Sequence, residues 1–530
     1  MTDPLVREPN EALRLATTEE HLKTLLPAEK PNAPASKEYN RLKIWLTMTP
    51  QIPLMLRTAA LHAAGFTKQS KYLDLKTEVL INVLRAYINP AQPMSISHTQ
   101  KFLNNFPAIK GKVWISTYAC WDPSYRLKAD WPPNTQGIQE AILKTINGLR
   151  HPGTPPPAIT MPEVLPVEAE WTGYRKDATA ESRLPEGLSQ KELYGEMMKE
   201  VTSRTTILYM HGGAYWLMDP ATHRAASRLL AKLTGGRVYS VRYRLAPQNP
   251  FPSQLVDALV SYLGLLYPPE GAFHTAVRAE DIVFAGDSAG GNLALSLIQV
   301  ILYLQRNQIN KVMWQGRMVE IPLPAGVAVS SPWMDVTHSS ESCKRNAEYD
   351  YLPEPSTMRA AEKKRPACKV WPASPPRQHV YCSNEMIPHP LVSVILAPSW
   401  KGAPPMYICT GWELLADEDK FAAQKMWREG VDVILEEYEG MPHCFSVLFP
   451  LIKEARRCNQ GWAGFIKNAV ESPERLRGKS RFVTVKAGSI EEVEIKEEDV
   501  SKETQEEIKV RIFDRVRSGA VAAEGEVAKL

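Results

Sequence analysis

Phe284-Ala285-Gly286-Asp287-Ser288-Ala289-Gly290-Gly291-Asn292 is the stretch on which the rest of the chain is organised. An apolar run, Asp281-Ile282-Val283-Phe284-Ala285, leads into it and reads as a buried strand. Leu293, Leu295, Leu297 and Ile298 follow with the spacing of the apolar side of a helix. A serine between two glycines, Gly286-x-Ser288-x-Gly290, fits a turn from strand to helix so tight that flanking side chains would collide. Such a turn strains the serine backbone, aims Oγ away from the sheet and sets the first helical N–H groups beside it.

A second strand pattern ends in glycine about eighty residues earlier, where Thr206-Ile207-Leu208-Tyr209-Met210 runs into His211-Gly212-Gly213-Ala214-Tyr215-Trp216. Backbone without side chains can bring N–H groups close to a carbonyl oxygen on which charge develops. Gly212, Gly213 and Ala214, with Ala289 after the serine, are therefore candidate oxyanion donors. Together with Tyr243-Arg244-Leu245-Ala246-Pro247, Phe251-Pro252, Asp257 and Ser331-Pro332-Trp333-x-Asp335-x-Thr337, these motifs resemble the hormone-sensitive-lipase-like branch of the α/β-hydrolases. That branch includes arylacetamide deacetylases, microbial esterases and fungal esterases and lipases. The resemblance runs from about residue 165 to about residue 465. Ala214 departs from the third glycine of the family's His-Gly-Gly-Gly; it keeps the N–H and adds a methyl to the pocket wall.

The resemblance implies an α/β fold with a mostly parallel central sheet, helices on both faces, and a helical cap from the N-terminal part plus an insertion. It also implies a serine hydrolase that cleaves carboxylic esters of a partly hydrophobic small molecule through a Ser-His-acid triad, without metal or organic cofactor. In that fold the triad runs serine, acid, histidine along the chain. His443, in Gly440-Met441-Pro442-His443-Cys444-Phe445, matches the family's Gly-x-x-His-x-Phe, although a lone histidine after a strand is commonly structural. Gly411-Trp412-Glu413-Leu414-Leu415-Ala416-Asp417-Glu418 aligns with Gly-x-Asp-Pro-Leu-x-Asp-Glu and places Glu413 in the acid position. Asp417 is the alternative acid, unless Asp417, Glu418 and Asp419 simply open a helix whose dipole they complement. Tyr215, Trp216 and Trp333 are the candidate substrate-binding side chains. The same triad serves amide or lactone hydrolysis. A non-catalytic binder on this scaffold, like the gibberellin receptors, would lack the histidine present here as His443.

Outside this span the chain carries less chemistry. It has 530 residues and a net charge of only +4, so no basic face predicts nucleic-acid binding. Seven cysteines, without a C-x-x-C pair, read as reduced thiols. Residues 1–20 are charged throughout and lack the apolar core of a signal peptide, which predicts a cytoplasmic protein or one peripheral on a cytosol-facing membrane. Residues 44–66 admit two readings, a helix packed within the molecule or an amphipathic surface resting on lipid. The expected organisation is an N-terminal extension and cap (1–150), a first part of the core (151–335) after a proline-rich hinge, a cap insertion (336–404), the remaining core (405–470) and a charged, mobile tail (471–530). Core strands are expected at 164–171, 206–211, 237–242, 281–286, 326–330, 406–410 and 432–438. The oligomeric state is not legible.

Overall fold

The strands, in chain order, are Val113–Ala119 (β1), Glu168–Tyr174 (β2), Thr206–Met210 (β3), Arg237–Val241 (β4), Ile282–Asp287 (β5), Lys311–Trp314 (β6), Arg317–Glu320 (β7), Gly326–Ser330 (β8), Met406–Gly411 (β9), Val433–Tyr438 (β10), Arg481–Val485 (β11) and Glu492–Glu494 (β12). This computed structural model describes residues 49–104, 106, 108–119 and 136–519. Among the described residues, ten strands form one sheet in the order β1-β2-β4-β3-β5-β8-β9-β10-β11-β12. From β4 to β11 every pairing is parallel, whereas β1, β2 and β12 pair antiparallel at the two edges.

Parallel strands need crossovers that cover both faces, and alternate side chains then enter two separate cores. In β3, Leu208 and Met210 belong to one apolar cluster and Ile207 and Tyr209 to the other. Helices Ser253–Leu266 and Ala289–Arg306 fill the first side, and Arg224–Thr234 and Lys453–Glu471 the second. Every residue of Ser253–Leu266 is buried, because the helix Gln136–Leu149 packs on its outer side. The hairpin β6–β7 packs against that outer helix in turn and turns at Gln315 and Gly316, both at positive φ (49° and 75°), as a tight two-residue connection requires.

Three expectations are corrected. Residues 1–150 supply more than cap, because β1 pairs with β2 and extends the central sheet; Val113-Trp114-Ile115 is the β-branched and aromatic run that permits this. The insertion 336–404 is also part of the packed interior: Leu391, Val392, Val394, Ile395 and Leu396 are buried, and the Val392 carbonyl accepts from Asn292 Nδ2 at 2.9 Å. Nor is 471–530 simply a solvated tail, since β11 lies beside β10 and the helix Gln505–Arg517 buries Ile508 and Ile512.

The chain divides into two compact units, residues 1–57 and 58–530. In the first, the described residues form the turn Thr49–Gln51 and the opening of the helix Ile52–Ala63. Of the stretch 44–66, residues 44–48 lie outside the described residues, and Ile52, Leu56 and Phe66 are exposed. No helix among the described residues is long and apolar enough to cross a membrane.

Candidate active site

The site lies where ligands bind in open parallel sheets, at the carboxyl ends of the strands. β5 ends at Asp287, and Ser288 follows at φ 51°, ψ −122°, a backbone conformation that side-chain-bearing residues rarely hold. The flanking glycines permit it by close approach: a Cβ on Gly286 or Gly290 would sit 2.6 or 2.0 Å from the carbonyl oxygen of Met210, the last residue of β3. The turn therefore presses directly against the loop 211–214. Ala289 opens the helix Ala289–Arg306, so its N–H has no acceptor within the helix.

The histidine and acid arrive on two neighbouring strand ends. His443 follows β10, and its Nε2 lies 2.9 Å from Ser288 Oγ. Its Nδ1 faces Glu413 Oε2, two residues past β9, in a very short contact. The other Glu413 oxygen accepts from Ser331 Oγ at 2.6 Å, Thr410 Oγ1 at 2.9 Å and the Gly411 N–H at 3.0 Å. Ser331 in turn accepts from the Cys444 N–H at 3.0 Å, joining the loops after β8, β9 and β10. Burial disfavours the protonated imidazole of His443, but Glu413, Asp350 and Asp287 outweigh it, so its pKa lies above the ordinary value.

Asp417 stands apart from this group. It accepts from the Ser342 N–H at 2.9 Å and pairs with Arg345 at 2.6 Å, as the charged first turn of the helix Ala416–Arg428. Of the two carboxylates, the structure brings Glu413 alone to His443.

The four proposed oxyanion donors also separate. The Gly212 N–H donates to Asp287 Oδ1 at 3.2 Å, so it faces away from an incoming oxygen. That leaves Gly213, Ala214 and Ala289. Ala214 holds φ 51° despite its methyl, a left-handed conformation in which glycine would be unstrained. Asp287 is a residue whose role sequence reasoning passed over, although it sits inside the serine motif. It accepts from Tyr209 Oη at 2.7 Å and pairs with the buried His223 at 3.3 Å. Burial alone would raise the Asp287 pKa and lower that of His223; their mutual attraction reverses both directions.

Tyr215 is corrected as a substrate contact. It is wholly buried, stacked on Tyr381 with centroids 3.7 Å apart, and its hydroxyl donates to Asn292 Oδ1 at 2.7 Å. An aromatic ring with one hydroxyl meets both needs in the packed interior, so the aromatic character read from the sequence serves the core. Trp216 is half-buried beneath the Arg365 guanidinium, 5.3 Å from the ring centre. Trp333 is buried with its backbone N–H on the Ser288 carbonyl at 3.0 Å, and the rings of His338 and His379 flank it at 5.2 and 5.7 Å.

A family model described as the α/β-hydrolase fold matches residues 207–447, a span that holds Ser288, Glu413 and His443. An esterase of Acinetobacter venetianus is 30% identical over 266 residues, which is 49% of this chain and 75% of that protein. The chain belongs to the α/β-hydrolase family. An acetyl-hydrolase of Streptomyces hygroscopicus is 29% identical over 50% of this chain and 76% of its own length. A crystal structure of a hormone-sensitive lipase from a metagenome library aligns with a TM-score of 0.49 and 21% identity, covering 76% of this chain and 99% of the other. The motifs that resemble the hormone-sensitive-lipase-like branch fall within or beside the matched span of this hydrolase. The six described cysteines are unpaired, Cys120 lies outside the described residues, and among the described residues no cluster of three or more His, Cys, Asp or Glu could hold a metal ion.

Proposed function

We propose that the protein is a carboxylic ester hydrolase in which Ser288, His443 and Glu413 act as nucleophile, base and acid. The observation that carries this reading is the contact of Ser288 Oγ with His443 Nε2 at 2.9 Å, with Glu413 on the far ring nitrogen. A serine hydroxyl is a weak nucleophile until a neutral imidazole takes its proton as the bond to carbon forms. His443 then holds that proton, and the Glu413 carboxylate stabilises the cation. The tetrahedral oxyanion is received by the N–H groups of Ala289, Gly213 and Ala214, where the positive end of the helix Ala289–Arg306 adds to the field. Collapse expels the alcohol, which takes the proton from His443, and water repeats the sequence to free the acid.

The pH dependence follows from His443. Its neutral form is the base, and its pKa lies above the usual 6.5, so activity rises with pH through a midpoint above that value. The test is hydrolysis of p-nitrophenyl esters from acetyl to palmitoyl, with the matching p-nitroanilides alongside. Turnover of esters that falls by about 10³-fold or more in Ser288→Ala supports the reading. Preference for the anilides would transfer it to amide hydrolysis by the same groups. Near-normal ester turnover in Ser288→Ala would rule the mechanism out.

A further inference from the structure

The catalytic loops are gripped from outside by a part of the chain that carries no motif. The helix Leu75–Ile88 presents Arg85, whose Nε donates to the Asp350 carbonyl at 3.0 Å and whose Nη2 donates to the carbonyls of Glu348 at 2.9 Å, Ala347 at 3.3 Å and Asp350. One guanidinium thus fixes three carbonyls of one loop, and the Asn82 side chain orients its remaining nitrogen at 2.9 Å. The Asp350 side chain emerges from that loop, fully buried. Its Oδ1 accepts from the backbone N–H of His443 at 3.2 Å, and its Oδ2 accepts from that of Leu414, next to Glu413, at 2.9 Å. Its carboxylate is therefore shared between the loop of the base and the loop of the acid.

A second contact repeats the pattern with aromatic rings. Tyr72 packs edge-on against Tyr349 and Trp412, with centroids 5.7 and 4.9 Å away, and Tyr349 meets Trp412 at 5.3 Å. Trp412 precedes Glu413. Tyr72 also lies against Gly440, where a Cβ would fall 2.4 Å from the Tyr72 Cβ. Gly440 sits at φ 67° in the turn that delivers His443, so both its conformation and its missing side chain suit this approach. The three loops 347–350, 411–414 and 440–443 all touch the segment 72–85 or the aspartate that it holds.

We propose that residues 72–85 act as a clamp that keeps His443 and Glu413 in register, with Asp350 as its positioning residue. The inference rests on the reading of those two residues as base and acid. Asp350 touches neither substrate nor the reacting atoms. It acts through two backbone N–H groups and through its charge, which joins those of Glu413 and Asp287 around His443; the other titratable neighbours of that ring are His338, Cys444 and Tyr351. Burial raises the pKa of Asp350 to about 6, so the group is predominantly ionised at pH 7.5.

The experiment uses the full chain and compares wild type, Asp350→Asn, Arg85→Lys and, as a control, Lys68→Ala, which removes only an exposed pair with Glu348. Steady-state kinetics on one p-nitrophenyl ester are measured across pH, with the melting temperature of each variant. An amide cannot accept two N–H groups on opposite sides and carries no charge, so in Asp350→Asn kcat is expected to fall roughly 10- to 100-fold with little change in KM. The acidic midpoint should move to lower pH, because His443 loses an anion that favours its protonated form. Arg85→Lys, which cannot span three carbonyls, should lower kcat less, and Lys68→Ala should match wild type. A role in stability alone would lower the melting temperature without moving the midpoint. If folded Asp350→Asn keeps the wild-type kcat and midpoint, the clamp is refuted while serine-dependent hydrolysis still stands. Should that variant fail to fold, Arg85→Lys decides: a lowered kcat at unchanged KM and near-wild-type melting temperature supports the clamp, and a wild-type kcat refutes it. Wild-type turnover that survives Ser288→Ala would instead remove the triad reading, and the clamp with it.

Discussion

The strand-end loops at 286–290, 411–414 and 440–443 and the charged segment 481–517 contribute to the same sheet and its covering layers, yet they specify their places by opposite means. In the loops, chemistry dictates residue type at single positions. Gly290 leaves no space for a side chain against Met210, and Ser288 holds a strained backbone with its Oγ 2.9 Å from His443 Nε2. In the charged segment no single residue is required by chemistry: Phe482, Val483, Val485, Ile508 and Ile512 are buried, and charged side chains pair around them. Arg481 and Arg457 both reach Glu492, Lys486 pairs with Glu439 at 2.6 Å, and Arg511 pairs with Glu503. A charge run that counts as solvated in composition becomes a lattice of cross-element contacts once the partners, up to about fifty residues away, are in place.

The largest difference to test is within the loops, between two carboxylates four residues apart. Glu413→Gln keeps size and shape but offers Nδ1 of His443 an amide, which disturbs the tautomer and cannot balance the imidazolium. A fall in kcat/KM of roughly 10³–10⁴-fold is expected, against less than about threefold for Asp417→Asn, whose carboxylate serves Ser342 and Arg345. Equal losses in both would erase the distinction between a carboxylate bound to His443 and one that serves Ser342 and Arg345. The measurement is steady-state hydrolysis at a pH well above the His443 midpoint, where every variant has a neutral base.

How far the sequence could be read follows the same division. Ser288, His443 and the parallel core are legible because glycines and short apolar strands leave local marks. Glu413 could be placed only beside Asp417 as an alternative, since the difference between them is a contact with a histidine thirty residues away. Gly212 looked like an oxyanion donor, and its N–H turns out to be committed to Asp287, a pairing seventy-five residues long in sequence. Tyr215 looked like a pocket wall because its partner Tyr381 lies in an insertion with no recognisable pattern. The strand β11 and the helix Gln505–Arg517 were hidden by composition, although Ile508 and Ile512, four apart, mark a helical stripe.

That stripe gives the next test. Ile508 and Ile512 are completely buried against the apolar cluster on one side of the sheet. Ile508→Ala should lower the unfolding free energy by ~2–5 kcal/mol, the usual cost of truncating a buried aliphatic side chain. Chemical denaturation of the full chain reads the effect, with Val510→Ala as a comparison on the exposed side of the same helix. If the two substitutions cost the same, the helix is not docked and the segment reverts to the solvated extension expected from its charge.

The smallest effect tests whether local marks were present after all. Thr504-Gln505-Glu506-Glu507 is a capping box: Thr504 Oγ1 accepts from the Glu507 N–H at 3.3 Å, and Glu507 returns to the Thr504 N–H at 2.9 Å. This signature is readable in four residues, without knowledge of any partner, and it starts the helix that places Arg515 against the Thr337 carbonyl at 2.8 Å. Thr504→Ala removes the hydroxyl and should destabilise by ~1 kcal/mol, whereas Thr504→Ser should retain most of that. Neither should alter kcat, because the capped turn is exposed and the contact at Thr337 survives while the helix remains docked. A drop in kcat in Thr504→Ala alone would mean that the end of this helix holds the loop after β8 in place. The charged segment would then belong to the catalytic architecture as well as to the sheet, and the contrast between the two regions would narrow to one of sequence, not of role.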